Sequence, residues 1–350
     1  MHALLAMIIN CAHSGNMQRS ALFTLPVAGV LAATALTSCA TDEAAADDTA
    51  LEINAAFYPL AFAAEQVGGE RVDVTDLTPA GGDPHDLELS PQDLVTLADG
   101  DHNIYLTGMQ PELDAAISEH VPDDSLDVAD YVDMVRLGDD TVVIEEDDDD
   151  HDHDHDDDHA EEDESTDDDH SHDHDVDPDS IDPHVWLDPL RYIDIAEAIA
   201  DLYTDLDPEG AEEYQSNLDD FSERLNTLHE EFETQLAERA SDDIVTSHAA
   251  FGYLAGRYDL NQVAIAGLST ATEPTSGRMA TVADFVNDND VTTIFYETLV
   301  SPNIAETIAA ETGAETDVLD PLEGLTSEDS DADYFTVMED NLDALTRAVG

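Results

Sequence analysis

Residues 207–238, DPEGAEEYQSNLDDFSERLNTLHEEFETQLAE, carry a long helical pattern. Apolar side chains recur in it at steps of three and four residues, namely Leu218, Phe221, Leu225, Leu228, Phe232 and Leu236. The opening pair Asp207 and Pro208 is typical of a helix start. We therefore predict one linking helix over residues 207–239.

Strand and helix patterns alternate on both sides of this predicted helix. Strand-like stretches at 51–57, 71–77 and 103–106 are separated by helical patterns. A second such series begins at residue 244 and ends in a helical pattern near the C-terminus. Alternation of this kind favours a parallel sheet covered on both faces. The sequence thus predicts an α/β fold of two lobes, each a mostly parallel sheet flanked by helices, joined by one long backbone helix. The N-terminal lobe covers residues 51–206 and the C-terminal lobe residues 240–350.

The composition excludes two kinds of partner. The 350 residues include 85 Asp and Glu against 9 basic residues, which gives a formal net charge of −76. A chain this acidic cannot neutralise nucleic-acid phosphates, nor bind an anionic membrane through a basic patch. The two cysteines, Cys11 and Cys39, both lie near the N-terminus. The body of the chain therefore has no cysteine for a disulfide framework or a thiolate metal site.

The N-terminal region is typical of an export signal. Residues 21–36 form an apolar run too short to span a bilayer, and the run leads into Leu36-Thr37-Ser38-Cys39, which resembles a bacterial lipobox. We predict a signal peptide over residues 1–38, lipidation of Cys39, and a small, acidic tether over 40–50. The alternative is an ordinary signal peptide with a chance cysteine, and translation starts at either Met1 or Met17.

An acidic, histidine-rich insert interrupts the N-terminal lobe at residues 145–179. It has almost no apolar side chain, so we expect it to be disordered without metal. Its composition predicts a secondary, low-affinity metal-binding loop, and the alternative is a solvated linker. The histidines of this loop are His151, His153, His155, His159, His170, His172 and His174.

Three other histidines lie in loops at or near predicted strand ends, where open α/β folds place ligands. They are His85 in Gly-Gly-Asp-Pro-His-Asp, His184 in Asp-Pro-His-Val-Trp-Leu-Asp-Pro, and His248 in Thr-Ser-His-Ala-Ala-Phe. Asp320, in Val-Leu-Asp-Pro, follows a short apolar run at a comparable place. Three imidazoles and one carboxylate can form the closed four-coordinate site that Zn²⁺ accepts.

The order of these motifs, together with Ile294-Phe295-Tyr296-Glu297, resembles the zinc/manganese ABC-transporter solute-binding proteins (ZnuA-like, cluster A-I). The resemblance implies two α/β lobes with a metal ion between them. It implies ligands at His85 and His184 from the first lobe and His248 and Asp320 from the second. Manganese-selective members typically have Glu where this chain has His248, so the resemblance points to Zn²⁺. The fourth ligand varies in the family, and Glu297 is the alternative to Asp320.

The function that the resemblance implies is capture and delivery of Zn²⁺. The loaded protein, a monomer held on the outer face of the cell membrane by its lipid anchor, would dock on a permease driven by a cytoplasmic ATPase. Two alternatives stay open: a manganese-binding homologue and an adhesin-type surface lipoprotein. We expect no catalysis, because the sequence has no H-E-x-x-H, G-x-S-x-G, P-loop or G-x-G-x-x-G string.

Overall fold

The structure, a computed structural model, describes residues 50–137, 180–268, 273–327 and 332–350. The predictions for the signal peptide, Cys39, nearly all of the tether, and the histidine-rich insert fall outside these ranges. The described residues contain two four-stranded sheets with every strand pairing parallel. The predicted fold class is therefore confirmed.

The first sheet has the strand order β2-β1-β3-β4. Its helices alternate with its strands along the chain, as a parallel sheet requires. The elements are β1 (Leu51–Ala55), α1 (Tyr58–Gly68), β2 (Val72–Asp76), α2 (Pro91–Asp99), β3 (His102–Tyr105), α3 (Pro111–His120) and β4 (Ser125–Asp127). Residues 135–137 and 180–182, on either side of the insert, then pair with each other. Leu137 N donates to Ser180 O at 2.9 Å, and Asp182 N donates to Val135 O at 3.0 Å.

Two helices connect the sheets, α4 (Pro189–Leu206) and α5 (Ala211–Leu236). The linking helix predicted for residues 207–239 is therefore shorter, at 26 residues or about 39 Å. The correction arises at Asp207, whose carboxylate does not cap α5. It accepts hydrogen bonds from the Arg71 guanidinium at 2.6 and 2.8 Å and from the Tyr214 hydroxyl at 2.9 Å.

The second sheet repeats the pattern of the first, with the order β6-β5-β7-β8. Its last helix is the C-terminal one. The elements are β5 (Asp243–Thr246), α6 (Gly252–Arg257), β6 (Asn261–Ala264), α7 (Ser276–Asp288), β7 (Thr293–Tyr296), α8 (Asn303–Thr312), β8 (Glu315–Val318) and α9 (Tyr334–Val349). None of the described helices is both long and apolar enough to cross a membrane.

An aromatic cluster joins the two halves into one core. Tyr334, at the start of α9, packs against Tyr192 of α4 with ring centroids 4.7 Å apart, and against Phe62 of α1 at 6.0 Å. Phe221 of α5 contacts both Phe62 and Tyr192 at 6.0 and 5.6 Å. The C-terminal helix and the linking helix therefore bury side chains against the first lobe, which restricts the rotation of one lobe against the other.

Candidate metal centre

The structure brings the three predicted histidines together with one carboxylate. The Nε2 atoms of His85 and His184 are 3.3 Å apart. The Oε1 atom of Glu323 lies 3.5 Å from His85 Nε2, 3.1 Å from His184 Nε2 and 3.0 Å from His248 Nε2. Among the described residues, these four form the one group of three or more candidate ligands, with all ligand atoms within 4.8 Å of one another.

These spacings fit a tetrahedral ion. Zinc binds imidazole nitrogen and carboxylate oxygen at about 2.0–2.1 Å. Two ligand atoms at that distance and at a tetrahedral angle are about 3.3 Å apart. The four separations given above, between 3.0 and 3.5 Å, cluster around this value. The donor set therefore matches four of the six edges of a zinc coordination tetrahedron, and all of its ligand atoms lie within 4.8 Å of one another.

Asp320 is not a member of this cluster, and the expectation for the fourth position is corrected to Glu323. The Asp320 carboxylate accepts hydrogen bonds from the Thr298 hydroxyl at 2.5 Å and from Leu322 N at 2.8 Å. Leu322 has a positive φ of 58°, which reverses the chain just before Glu323. Asp320 thus organises the turn that directs Glu323 toward the histidines.

Glu297, the alternative fourth ligand, lies behind His248 rather than beside the other ligand atoms. Its Oε1 accepts a hydrogen bond from His248 Nδ1 at 2.5 Å and another from the Ser247 hydroxyl. Glu297 therefore contacts the ring nitrogen that faces away from the cluster. The sequence did carry a signal for Glu323, an acidic residue beside a glycine in the same loop as Asp320, but nothing in the pattern ranked it above Asp320.

Comparison with known proteins assigns the chain to a family. The profile of the family described as zinc-uptake complex component A, periplasmic (ZnuA), matches residues 53–348. The chain belongs to the ZnuA family. The resemblance recognised from the motifs is therefore confirmed.

Named relatives agree with this assignment. The high-affinity zinc uptake system protein ZnuA of Bacillus subtilis is 31% identical over 333 residues, which cover 93% of this chain and 96% of that protein. The zinc-binding lipoprotein AdcA of Streptococcus pneumoniae is 33% identical over 319 residues, 90% of this chain but 58% of AdcA. The chain thus spans little more than half the length of the AdcA relatives that it matches.

Solved structures show the same architecture. The Zn(II)-bound ZnuA-like domain of Streptococcus pneumoniae AdcA superposes with a TM-score of 0.65 at 30% identity, covering 86% of this chain and 99% of that domain. The metal-dependent lipoprotein YcdH of Bacillus subtilis gives a TM-score of 0.66 at 28% identity, covering 85% and 99%. In this ZnuA-family chain, the two lobes follow that common fold.

His184 is held by a buried carboxylate on its far side. Asp182 Oδ1 accepts hydrogen bonds from His184 N at 2.9 Å and from His184 Nδ1 at 2.7 Å. Neither side chain is more than 1% exposed. Because Nδ1–H is bonded to a carboxylate, the Nε2 lone pair is directed at the cluster.

His248 is held in the same way and at its main chain as well. Glu297 receives the Nδ1 hydrogen bond, so Nε2 again faces the other ligands. The His248 carbonyl accepts hydrogen bonds from the Thr246 hydroxyl at 2.7 Å and the Gln262 amide at 3.1 Å. This buried polar network fixes the position of the ring where the chain leaves β5.

His85 has a simpler environment. It lies in a short 3₁₀ turn, Pro84–Asp86, that follows β2. Asp83 caps this turn by accepting a hydrogen bond from His85 N at 2.9 Å. Among the described residues, no hydrogen bond to His85 Nδ1 is found, and its side chain is 8% exposed whereas those of His184 and His248 are fully buried. His85 is therefore the least constrained of the three imidazoles.

The buried carboxylates control the charge of the site. Burial alone would lower the pKa of His184 and His248, but their carboxylate partners outweigh it and raise both pKa values above the ordinary histidine value. Burial would raise the pKa of Glu323, but His248 and the hydrogen bonds from the other imidazoles hold it well below its ordinary value. The site is therefore built to hold positive charge against Glu323, as protons or as a cation.

Proposed function

We propose that this ZnuA-family protein binds Zn²⁺ between its lobes through His85, His184, His248 and Glu323, and delivers the ion to an ABC transporter. The observation that carries the proposal is the set of 3.0–3.5 Å separations among three imidazole nitrogens and one carboxylate oxygen. These separations support a tetrahedral ion bound by all four side chains.

The donor set favours Zn²⁺ over Mn²⁺. Imidazole suits zinc, whereas manganese prefers oxygen-rich, octahedral surroundings. For a given nitrogen and oxygen site, divalent affinity also rises from manganese to zinc. The relatives named above are zinc-binding and zinc-uptake proteins. A preference for Mn²⁺ would need a larger coordination number than these four side chains supply.

The same donor set argues for transport rather than catalysis. Catalytic zinc sites commonly keep three protein ligands and leave one position for water or substrate. Here four protein ligands are arranged around one point, and three of them are almost fully buried. An ion held in this way is enclosed, which suits a cargo.

Delivery requires a place at the membrane and a partner. We propose that lipidated Cys39 anchors the protein to the outer face of the cell membrane, and the similarity to the zinc-binding lipoprotein AdcA supports this. A monomer would then pass Zn²⁺ to a membrane permease driven by a cytoplasmic ATPase. The histidines of the insert would gather additional Zn²⁺ weakly, because ordering of the loop must accompany binding there.

Calorimetry and metal analysis of two proteins test the proposal, the full chain and a chain that lacks residues 145–179. We expect the shortened chain to keep one tight Zn²⁺ site and to lose only weak binding. His248→Ala should weaken the tight site at least about 100-fold, whereas His120→Ala, a substitution at an exposed position on α3, should leave it unchanged. Loss of the tight site on removal of residues 145–179, or tight binding in His248→Ala, would contradict the proposal.

A further inference from the structure

The segment that carries His184 is held at both ends by one helix of the C-terminal lobe. This segment runs from Asp182 to Asp188. At its start, the Tyr253 hydroxyl donates a hydrogen bond to Asp182 O at 2.9 Å. At its end, the Arg257 guanidinium donates to the Asp188 carboxylate at 2.6 and 2.9 Å. Both donors belong to α6.

The spacing of the two donors explains how one short helix reaches both ends. Residues four apart on a helix lie on the same face, so Tyr253 and Arg257 project together from α6. Asp188 is nearly fully buried, and it also caps α4 by accepting from Leu190 N at 3.0 Å. A buried carboxylate needs such partners. Arg191 Nε also lies 3.3 Å from Asp188 Oδ2, but the bidentate contact of Arg257 is shorter and is therefore the stronger of the two.

Tyr253 contacts both of the segments that lie on either side of the insert. Besides donating to Asp182 O, its hydroxyl accepts a hydrogen bond from Val135 N at 3.0 Å. Asp182 is also the residue whose carboxylate holds the His184 ring. A single hydroxyl on α6 therefore fixes the main chain of the residue that orients a candidate ligand.

The middle of the segment is tied to the loop that carries Glu323. Trp186 Nε1 donates to Pro321 O at 2.8 Å, and the Tyr334 hydroxyl donates to Trp186 O at 2.8 Å. Pro321 is two residues before Glu323, and α6 begins four residues after His248. The segments of His184, His248 and Glu323 are thus bonded to one another through C-terminal elements.

The loop of His85 has a weaker connection to the same elements. A backbone hydrogen bond connects it to the Glu323 loop, from Gly81 N to Leu325 O at 2.7 Å. The hydrogen bonds from Tyr253 and Arg257 described above reach the two ends of the His184 segment, whereas this backbone bond joins the His85 loop to the Glu323 loop.

We propose that Tyr253 and Arg257 are positioning residues for zinc binding, which hold the His184 segment in register with His248 and Glu323. The inference rests on the proposed function. It adds that three of the four ligands form a preset group whose geometry depends on α6. Neither residue contacts the ion, so each acts through His184.

The test measures Zn²⁺ affinity of the full chain with a competing chelator that holds free zinc below the range of the weak sites. Tyr253→Phe and Arg257→Gln should each lower affinity about tenfold, the lower end of what outer residues of metal sites contribute. Tyr131→Phe and Arg347→Gln, at exposed positions, are matched controls and should not change it. Affinities within twofold of wild type for both α6 variants would overturn the inference.

A double-mutant cycle separates positioning from general loosening. In a His184→Ala background, Tyr253→Phe should lower the Zn²⁺ affinity by less than a further twofold, because the imidazole through which Tyr253 acts is gone. In a His85→Ala background, Tyr253→Phe should still lower the Zn²⁺ affinity about tenfold. An equal loss in both backgrounds would mean that Tyr253 only stabilises the fold, and would reject the positioning role.

The Zn²⁺ affinity of wild type separates failure of the proposed function from failure of this inference. If wild type binds no Zn²⁺ tightly, the proposed function fails and this inference fails with it. If wild type binds and the α6 variants match it, only the inference fails.

The visible spectrum of the Co²⁺-loaded protein reports ligand geometry, and we expect Arg257→Gln to alter its band positions or intensities. The Arg257 side chain is partly exposed, so we expect Arg257→Gln to fold. This variant alone is sufficient for the test if Tyr253→Phe does not fold. An unchanged spectrum with unchanged affinity counts against the inference.

Discussion

The two lobes share a strand order but differ in what they give to the metal centre. In each sheet the first strand lies between the second and third, as β2-β1-β3-β4 and as β6-β5-β7-β8. The N-terminal lobe contributes His85, from the loop after β2, and His184, from the segment that leads into α4. The C-terminal lobe contributes His248 and Glu323 and makes the hydrogen bonds that hold the His184 segment. A symmetric fold therefore supports an asymmetric site.

This difference shows which interactions set the site geometry. His184 and His248 each have a buried carboxylate on Nδ1, Asp182 and Glu297 respectively, at 2.7 and 2.5 Å. His85 has no such partner among the described residues. Since a carboxylate on the outer nitrogen fixes the tautomer and orientation of a ligand imidazole, two imidazoles are oriented before an ion arrives and one is not.

The largest expected effect comes from removing the charge that the C-terminal lobe supplies. Glu323→Gln should weaken Zn²⁺ binding at least about 100-fold. Structural zinc sites bind with about 10–16 kcal/mol, so one of four ligands accounts for about 3 kcal/mol, or more than a factor of 100. Glu323 is also the one anionic side chain among the four proposed ligands, which adds to its share. Calorimetry on the variant and on wild type measures the loss.

Asp320→Asn is the matched control for this substitution. The amide oxygen can still accept the bond from Leu322 N, so the turn that presents Glu323 should persist. We expect a loss below about tenfold. The reverse ranking, with Asp320→Asn the more damaging, would return the fourth position to Asp320.

The sequence was sufficient for the fold class and for three of the four clustered side chains. Hydrophobic periodicity locates α5 and most strands, and the motifs around His85 and His248 place them in loops that follow strands. His184 instead lies directly before the 3₁₀ turn Val185–Leu187, and the last described strand before it, β4, ends at Asp127. Two strands were not predicted because they carry little pattern: β4 has three residues, and β8, Glu-Thr-Asp-Val, has one apolar side chain. The helix start at Asp207 was wrong because the partner of that carboxylate, Arg71, is 136 residues away.

The fourth side chain could not be read from the sequence for a similar reason. Asp320 and Glu323 lie in one loop, and both are acidic. Their roles are separated by the positive φ of Leu322 and by the contact between Asp320 and Thr298. A contact with a residue 22 positions away depends on the assembled sheet, which periodicity does not describe. The hydrogen bonds from α6 to the His184 segment also join residues that are far apart in the sequence, so periodicity does not predict them either.

A smaller effect is expected from the carboxylate behind His248. Glu297→Gln should weaken Zn²⁺ binding about 10- to 100-fold, because a neutral amide holds the Nδ1–H less firmly and no longer raises the basicity of the ring. Glu306→Gln, at an exposed position on α8, is the matched control and should have no effect. If Glu297→Gln bound Zn²⁺ within twofold of wild type, His248 would need no carboxylate on its Nδ1 atom. His248 and His85 would then not differ in how they are prepared for binding.

The pH dependence of binding gives the finest test of the same distinction. The carboxylates raise the pKa of His184 and His248 despite burial, so protons occupy these rings in the zinc-free protein at a higher pH than for ordinary histidines. Zinc needs the neutral imidazoles and must displace those protons. Affinity should therefore fall as the pH is lowered, beginning above the ordinary value of about 6.5, by about tenfold per pH unit for each proton displaced.

Calorimetry in two buffers with different ionisation enthalpies counts the protons released on binding. We expect proton release from wild type at pH 7, and less from Glu297→Gln, because loss of the Glu297 charge lowers the pKa of His248 toward its ordinary value. Glu306→Gln should release as many protons as wild type. If binding at pH 7 released no protons, the imidazoles would already be neutral in the zinc-free protein. The buried carboxylates would then act on ring orientation alone, and the charge difference between these two histidines and an ordinary one would be lost.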